Sequence, residues 1–427
     1  MNNAISAPSV RGEFRQHWLL VLAAATGFGF SAIVSVTTGL FMEPLGREFG
    51  WGRALQASGA SITAILTFLM SPFFGALIDR WGTRGMALAG IVLASLIISG
   101  FSLANGSPVQ WMALWGFYAF AGVMIKSTVW TAAISSVFKE GRGLALGLTL
   151  SGTAVAAIIF APLTDWLINS YGWRGAWIGL GLGAGTLTFV LCALFFFDGY
   201  AMAKSKQAKT GEVPTKGPLL DVPGLSIAEA WRDSALWRIG LSTFLMMVVT
   251  IALNVHQFEI LRSTGLTRTT AAYYSSIAGF AGIAGKLITG WLLDRYHVRW
   301  VGGITLGMTT VAFALLLLPN LTAPIIIAAM VVNGYSAGTK LQVASYLTSA
   351  YGGLRNFGAM FGVMASLIAA GSGIGPVLAG YIFDVYGTYA PFLIFGMIAS
   401  IFCGGLILSL GAYPSWARNH EKEQVAQ

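Results

Sequence analysis

The chain has 427 residues, 56% of them hydrophobic and only 10% charged, with a mean hydropathy of +0.73, where a soluble domain carries roughly 25% charged residues. A water-soluble globular protein is excluded, and at about 20 apolar residues per membrane-spanning helix the length holds about twelve spans and no sizeable soluble domain. The net charge of +9 is scattered through short loops, so it marks membrane topology and not nucleic-acid binding.

In chain order, a polar and basic tail (1–17) precedes the first apolar run, 18–41, which is too long and too rich in Gly and Thr for a cleaved signal peptide. Further spans are predicted at 56–78, 86–104, 109–133, 145–168 and 175–197, completing an N-terminal six-helix half over 18–197. A polar stretch, 198–235, reads as a linker. Spans at 236–259, 272–293, 300–318, 323–350, 357–383 and 389–411 make a C-terminal half over 236–411, and 412–427 is a tail. Alternating the loops between two sides puts seventeen Lys and Arg on the side of both termini and five on the other. The excess predicts cytoplasmic termini in a multi-pass protein of the cell inner membrane. Cys192 and Cys403 lie inside apolar runs and imply neither disulfide nor metal.

The halves repeat each other. Gly75-Ala76-Leu77-Ile78-Asp79-Arg80-Trp81-Gly82-Thr83-Arg84 matches Gly290-Trp291-Leu292-Leu293-Asp294-Arg295-Tyr296-His297-Val298-Arg299 at Gly, Leu, Asp and both Arg. At nearly the same offset Lys126 matches Lys340, Ser135 matches Ser349, and Tyr171-Gly172 matches Tyr386-Gly387. A parallel repeat of six spans implies a substrate held between the halves near the bilayer midplane.

The Gly75–Arg84 segment and its copy resemble the signature of the major facilitator superfamily. That resemblance implies an all-α integral membrane fold of twelve helices in two pseudo-symmetric halves, and a conformational gate of Asp79, Arg80, Arg84, Asp294, Arg295 and Arg299. A narrower likeness is to its monocarboxylate and oxalate:formate branch. It rests on Phe138, Arg142, Leu144-Ala145, Gly147 and Ser151-Gly152, on Glu48 to Ala54, on Gly172-Trp173-Arg174, on Val255-His256 with Gly265-Leu266, and on Gly375-Pro376, Gly380, Asp384 and Gly387. The chain departs from proton-coupled monocarboxylate carriers. It has no charge between Trp18 and Phe41, Gly282 where the branch places an Asp in the eighth span, and Lys286 where it places an Arg. No lysine stands between Phe357 and Phe383, where the oxalate exchanger has one.

Three lysines lie inside spans without an acid beside them: Lys126, Lys286 and Lys340. Each costs about 2.5–3.5 kcal/mol to insert, which marks a functional candidate; snorkelling of the flexible stem to the headgroups is the competing reading. The repeat predicts that Lys126 and Lys340 face each other across a central cavity. Helical spacing adds Gly122, Tyr118 and Trp115 above Lys126, and Ser336 and Asn333, with Tyr335 beside them, near Lys340. For Trp115 and Tyr118, simple packing competes. Asn254, His256 and Gln257 end the seventh span, where the imidazole either binds a carboxylate or meets solvent.

No phosphate loop, metal-ligand cluster or hydrolytic triad occurs, so neither an enzyme nor a cofactor is expected. The expectation is a monomeric secondary transporter of a small organic anion, coupled to protons or to a second anion. An exporter of amphiphilic drugs or metabolites is the alternative.

Overall fold

The computed structural model describes residues 10–199, 223–263 and 265–414. Expected linker residues 200–222 and the outer parts of both tails lie outside them. The first half comprises α1 (Val10–Phe49), α2 (Arg53–Trp81), α3 (Thr83–Gly100), α4 (Pro108–Met124), α5 (Ser127–Val137), α6 (Arg142–Ile178) and α7 (Gly185–Phe195). A short α8 (Ile227–Ala230) opens the second half, followed by α9 (Ser234–Ser263), α10 (Arg268–Leu293), α11 (Val298–Gly307), α12 (Thr309–Leu316), α13 (Ala323–Gly352), α14 (Phe357–Tyr386) and α15 (Ala390–Leu408). Among the described residues the only β pairing is an isolated bridge between Gly224 and Gly353.

Among the described residues ten helical segments are long and apolar enough to cross a bilayer. One of them, Arg142–Phe195, reverses at Gly172, whose φ of 71° is open to glycine and strained for other residues. Gly179 then packs on Leu167, and the segment supplies two crossings. The 30-residue α13 is the remaining one, which brings the total to the expected twelve. At 40 residues α1 measures about 60 Å, twice the hydrocarbon core. It bends at His17, where φ and ψ leave helical values, so the basic tail begins as helix and not as coil.

Each half has its own core. The first is dominated by aromatic rings, with Phe41 stacked on Trp177 at 3.9 Å and Phe101 packed on Trp111 and Trp115. The second is built on Phe313, Phe361 and Phe392. The halves meet along two seams of small residues, α2 against α14 and α6 against α10. A Cβ added to Gly75 would lie 2.1 Å from the Gly358 carbonyl oxygen, and one on Gly143 would lie 2.3 Å from that of Gly290. Only glycine allows backbones to approach this closely. Both seams lie toward the face that carries the basic loops. Their innermost hydrogen bonds are Ser366 Oγ to the Phe68 carbonyl, 2.6 Å, and Lys286 Nζ to the Leu150 carbonyl, 2.8 Å. Among the described residues no hydrogen bond joins the halves beyond these, so the space for a cleft lies toward the opposite face.

The loops that launch the seam helices are braced from within their own half. Both Glu13 carboxylate oxygens accept backbone N–H groups of residues 139–141, ahead of α6. Ahead of α14, Leu225 N–H donates to the Gly352 carbonyl and Leu354 N–H to that of Pro223.

Candidate functional site

The fourth span breaks at Lys126. α4 closes with tight turns, Ile125 N–H to the Gly122 carbonyl and Lys126 N–H to that of Val123. Lys126 itself is extended (φ −70°, ψ 176°) and stands at the N-cap of α5. Trp130 secures the break: its indole N–H donates to the Ile125 carbonyl at 2.8 Å, occupying an acceptor that a continuous helix would use itself. The ring lies against Gly27 of α1, where an added Cβ would fall 2.1 Å from it. Lys126 is half-buried, and its amine makes no hydrogen bond or ion pair among the described residues, while Gly122, one turn away, borders open space. A cation and a positive helix end thus share one point midway along a span, a combination suited to an anion.

The other two lysines are placed differently. Lys286 bridges the halves through its bond to Leu150 and remains half-buried at the closed end of the cleft. Lys340 does not face Lys126 across the cleft, contrary to the expectation from the repeat. It is 3% exposed, donates to Thr250 of α9 and lies beside Cys403 of α15 within the C-terminal half. A small void there is also lined by Ser242, Thr243 and Leu306. The cause is the helix break, because α13 runs unbroken through Lys340 whereas the chain turns out of helix at Lys126, and equal sequence positions acquire different directions.

Two further expectations are corrected. Trp115 and Tyr118 belong to the aromatic core: Trp115 sits on Gly59 of α2 and against Phe101, and the Tyr118 hydroxyl reaches the Ser31 carbonyl of α1 at 3.5 Å. Packing decides both. His256 is committed on both ring nitrogens, Nδ1 to the Tyr389 hydroxyl at 3.0 Å and Nε2 to the Pro376 carbonyl at 2.9 Å. It therefore clips α9 to α14 and α15 and presents no free nitrogen to a ligand.

Asn254, Gln257 and Asn333 do come together. Asn333 Nδ2 donates to Gln257 Oε1 at 2.9 Å and to Asn254 Oδ1 at 3.3 Å, with Asn254 exposed and the Asn333 oxygen buried without a partner. Tyr335 shares a 2.7 Å hydrogen bond with Thr289 of α10. Ser336 is buried against the Thr305 carbonyl of α11, away from the cleft.

At the basic face Asp79 accepts N–H bonds from Gly358 and Ala359, both 2.7 Å, at the start of α14. Asp294 repeats the arrangement at the start of α6, with Gly143 and with Leu144 at 2.8 Å. Burial there lifts the Asp294 carboxyl to about 6, against the lowering effect of the Leu144 and Gly143 N–H bonds. Each carboxylate meets the positive end of a helix from the other half. The arginines are not their partners. Arg84 donates to the Ala193 carbonyl and Arg299 to that of Leu410, each within its own half; Arg295 lies 4.2 Å from the Trp291 ring centroid. Arg80 is exposed and makes no such contact among the described residues.

Sequence reasoning missed Leu150, whose backbone oxygen carries the contact, and Gln342, whose side chain donates to the Gly143 carbonyl across the seam at 2.7 Å. It also missed Trp130 and Gly27. Their one advance signal is the run Ser127-Thr128-Val129 following Gly122, a serine and two β-branched residues that are unfavourable to an uninterrupted helix.

The sequence matches the Major Facilitator Superfamily model over residues 19–258 and again over 239–426. It is 27% identical to monocarboxylate transporter 13 of Bos taurus over 392 residues, 91% of this chain and 88% of that protein. It is also 27% identical to monocarboxylate transporter 11 of Homo sapiens, over 92% of this chain and 82% of that one. Two solved structures share the fold. The fucose:proton symporter of E. coli has a TM-score of 0.67 at 14% identity, covering 91% of this chain and 97% of its own. The human organic anion transporter MFSD10 has 0.68 at 15%, covering 94% and 100%. Helices, internal repeat, seams and relatives together make this a multi-pass membrane transporter of organic substrates, not an enzyme, and the chain belongs to the major facilitator superfamily.

Proposed function

We propose that the chain carries a small organic carboxylate across the cell inner membrane by alternating access, as a monomer, in proton symport or anion exchange. The observation that carries this reading is the unpaired Lys126 amine at the broken fourth span, beside the N-terminus of α5 and the gap at Gly122. The printed names of the relatives, monocarboxylate transporters, and of one structural neighbour, an organic anion transporter, agree with it.

Lys286 supplies the second cation. With the cleft open to the far side, its amine rests on a neutral carbonyl; a substrate carboxylate is the stronger acceptor and draws the amine from Leu150, loosening one tie between the halves. Asn254 and Gln257 furnish neutral hydrogen-bonding groups on the opposite wall. Asp79 and Asp294 hold the basic face closed until α14 and α6 move away. That face is cytoplasmic by its excess of Lys and Arg.

Calorimetric titration of a panel of mono- and dicarboxylates into the purified protein and Lys126→Gln tests the reading. Loss of one charge-assisted hydrogen bond, about 1.5–3 kcal/mol, weakens binding by about ten- to a hundredfold. Lys126→Arg restores part of it, since the guanidinium fork is larger. Equal affinity in wild type and Lys126→Gln would remove the anion site from this position.

A further inference from the structure

An apolar groove of about 240 Å³ runs along the outside of the α2–α14 seam. Pro72, Phe73 and Ala76 of α2 form one wall, Ala359, Val363 and Leu367 of α14 another, and α8 with the start of α9 closes it through Ile227, Trp231 and Trp237. Phe73 is 76% exposed, so the groove opens sideways toward the bilayer. Arg80 follows Ala76 by one helical turn on the same face. It is exposed and has no hydrogen bond, ion pair or ring contact among the described residues. Trp231 and Trp237 pack together at 5.7 Å at this level, where indoles mark the headgroup boundary.

We propose that this groove binds one anionic phospholipid, an acyl chain lying between α2 and α14 and the phosphate on Arg80. An apolar slot ending at an unpaired guanidinium at interfacial depth matches that amphiphile in both shape and charge. The walls come from both halves of the protein. The site is therefore complete only while the basic face is closed, and separation of α2 from α14 divides it. A ligand selective for one state shifts the population toward that state; the lipid stabilises the cleft-open, basic-face-closed arrangement.

Native mass spectrometry of the purified full chain, titrated with phosphatidylglycerol or phosphatidylcholine of matched acyl length, tests the site. The expected result is one phosphatidylglycerol retained per chain under conditions that strip phosphatidylcholine. Arg80→Gln lowers that retention about tenfold, one decade of affinity, and Ala76→Phe, which fills the groove, lowers retention of phosphatidylglycerol likewise; melting temperatures verify that the variants fold. Equal retention of the two lipids by wild type, or undiminished retention in both variants, overturns the proposal. Spin labels at Glu140→Cys and Tyr296→Cys, on the other seam, read the state. Phosphatidylglycerol nanodiscs favour the short distance over phosphatidylcholine nanodiscs in wild type and not in Ala76→Phe, and an unchanged distance with lipid bound overturns the state preference.

Discussion

Replacing Lys286 by methionine isolates one tie between the halves. Methionine keeps much of the apolar stem and removes the amine, so the 2.8 Å bond to the Leu150 carbonyl is lost and the seam packing around Gly147 and Gly290 is retained. Hydrogen bonds to charged groups contribute about 1.5–3 kcal/mol, hence the ratio of basic-face-closed to basic-face-open molecules falls by about one to two decades. Cysteines at Glu140 and Tyr296, exposed residues at the ends of the α6–α10 seam, carry spin labels for pulsed electron resonance distances; the native Cys192 and Cys403 are buried and stay unlabelled. Wild type gives one dominant short distance, and Lys286→Met adds a long-distance population. A saturating carboxylate substrate broadens the wild-type distribution in the same direction and leaves that of Lys286→Met unchanged. A variant distribution identical to wild type would refute the view that this amine holds the halves together.

Three other substitutions probe the remaining assignments. Asp79→Asn leaves one of two helix N–H groups facing an amide donor and slows transport severalfold in reconstituted vesicles while ligand affinity changes little; a normal rate would reduce Asp79 to a topology signal. Lys340→Met changes substrate affinity less than about threefold, a shift under 1 kcal/mol, and leaves thermal stability equal or higher, because a buried unpaired charge gives way to an apolar side chain of similar length; a tenfold loss of affinity would place Lys340 back in the cleft. Gly27→Ala drives a Cβ into the Trp130 ring and costs about 1–3 kcal/mol of overpacking, with a lower melting temperature and weaker carboxylate binding, whereas Gly39→Ala, with open space around it, alters neither. Equal behaviour of the two alanine variants would show that the ring does not secure the break.

Composition and pattern were enough to determine the twelve crossings, the two halves and the paired Asp motifs. Apolar run length is itself the physical requirement for spanning a bilayer, and a duplicated motif such as Gly75–Arg84 with Gly290–Arg299 records a duplicated contact. What the motifs touch was not legible. Asp79 and Asp294 meet backbone N–H groups of α14 and α6, and a backbone donor is present at every residue, so no sequence signal distinguishes the ones that are used. The lysines show the same limit more sharply. Sequence marked all three as costly and therefore meaningful, yet their roles diverge because side-chain direction depends on helix phase and on which helix lies opposite. One departure from helical geometry at Ile125 and Lys126, held by an indole and a glycine on another helix, leaves the Lys126 amine without a hydrogen-bond partner among the described residues. The unbroken α13 turns its counterpart Lys340 toward Thr250 and Cys403. His256 likewise reads as a free imidazole until Tyr389 and Pro376, more than a hundred residues away, are brought to its two nitrogens. Local residue chemistry established that the membrane interior holds charge to be explained; only the packing of helices distant in sequence decided which charge is left for a ligand.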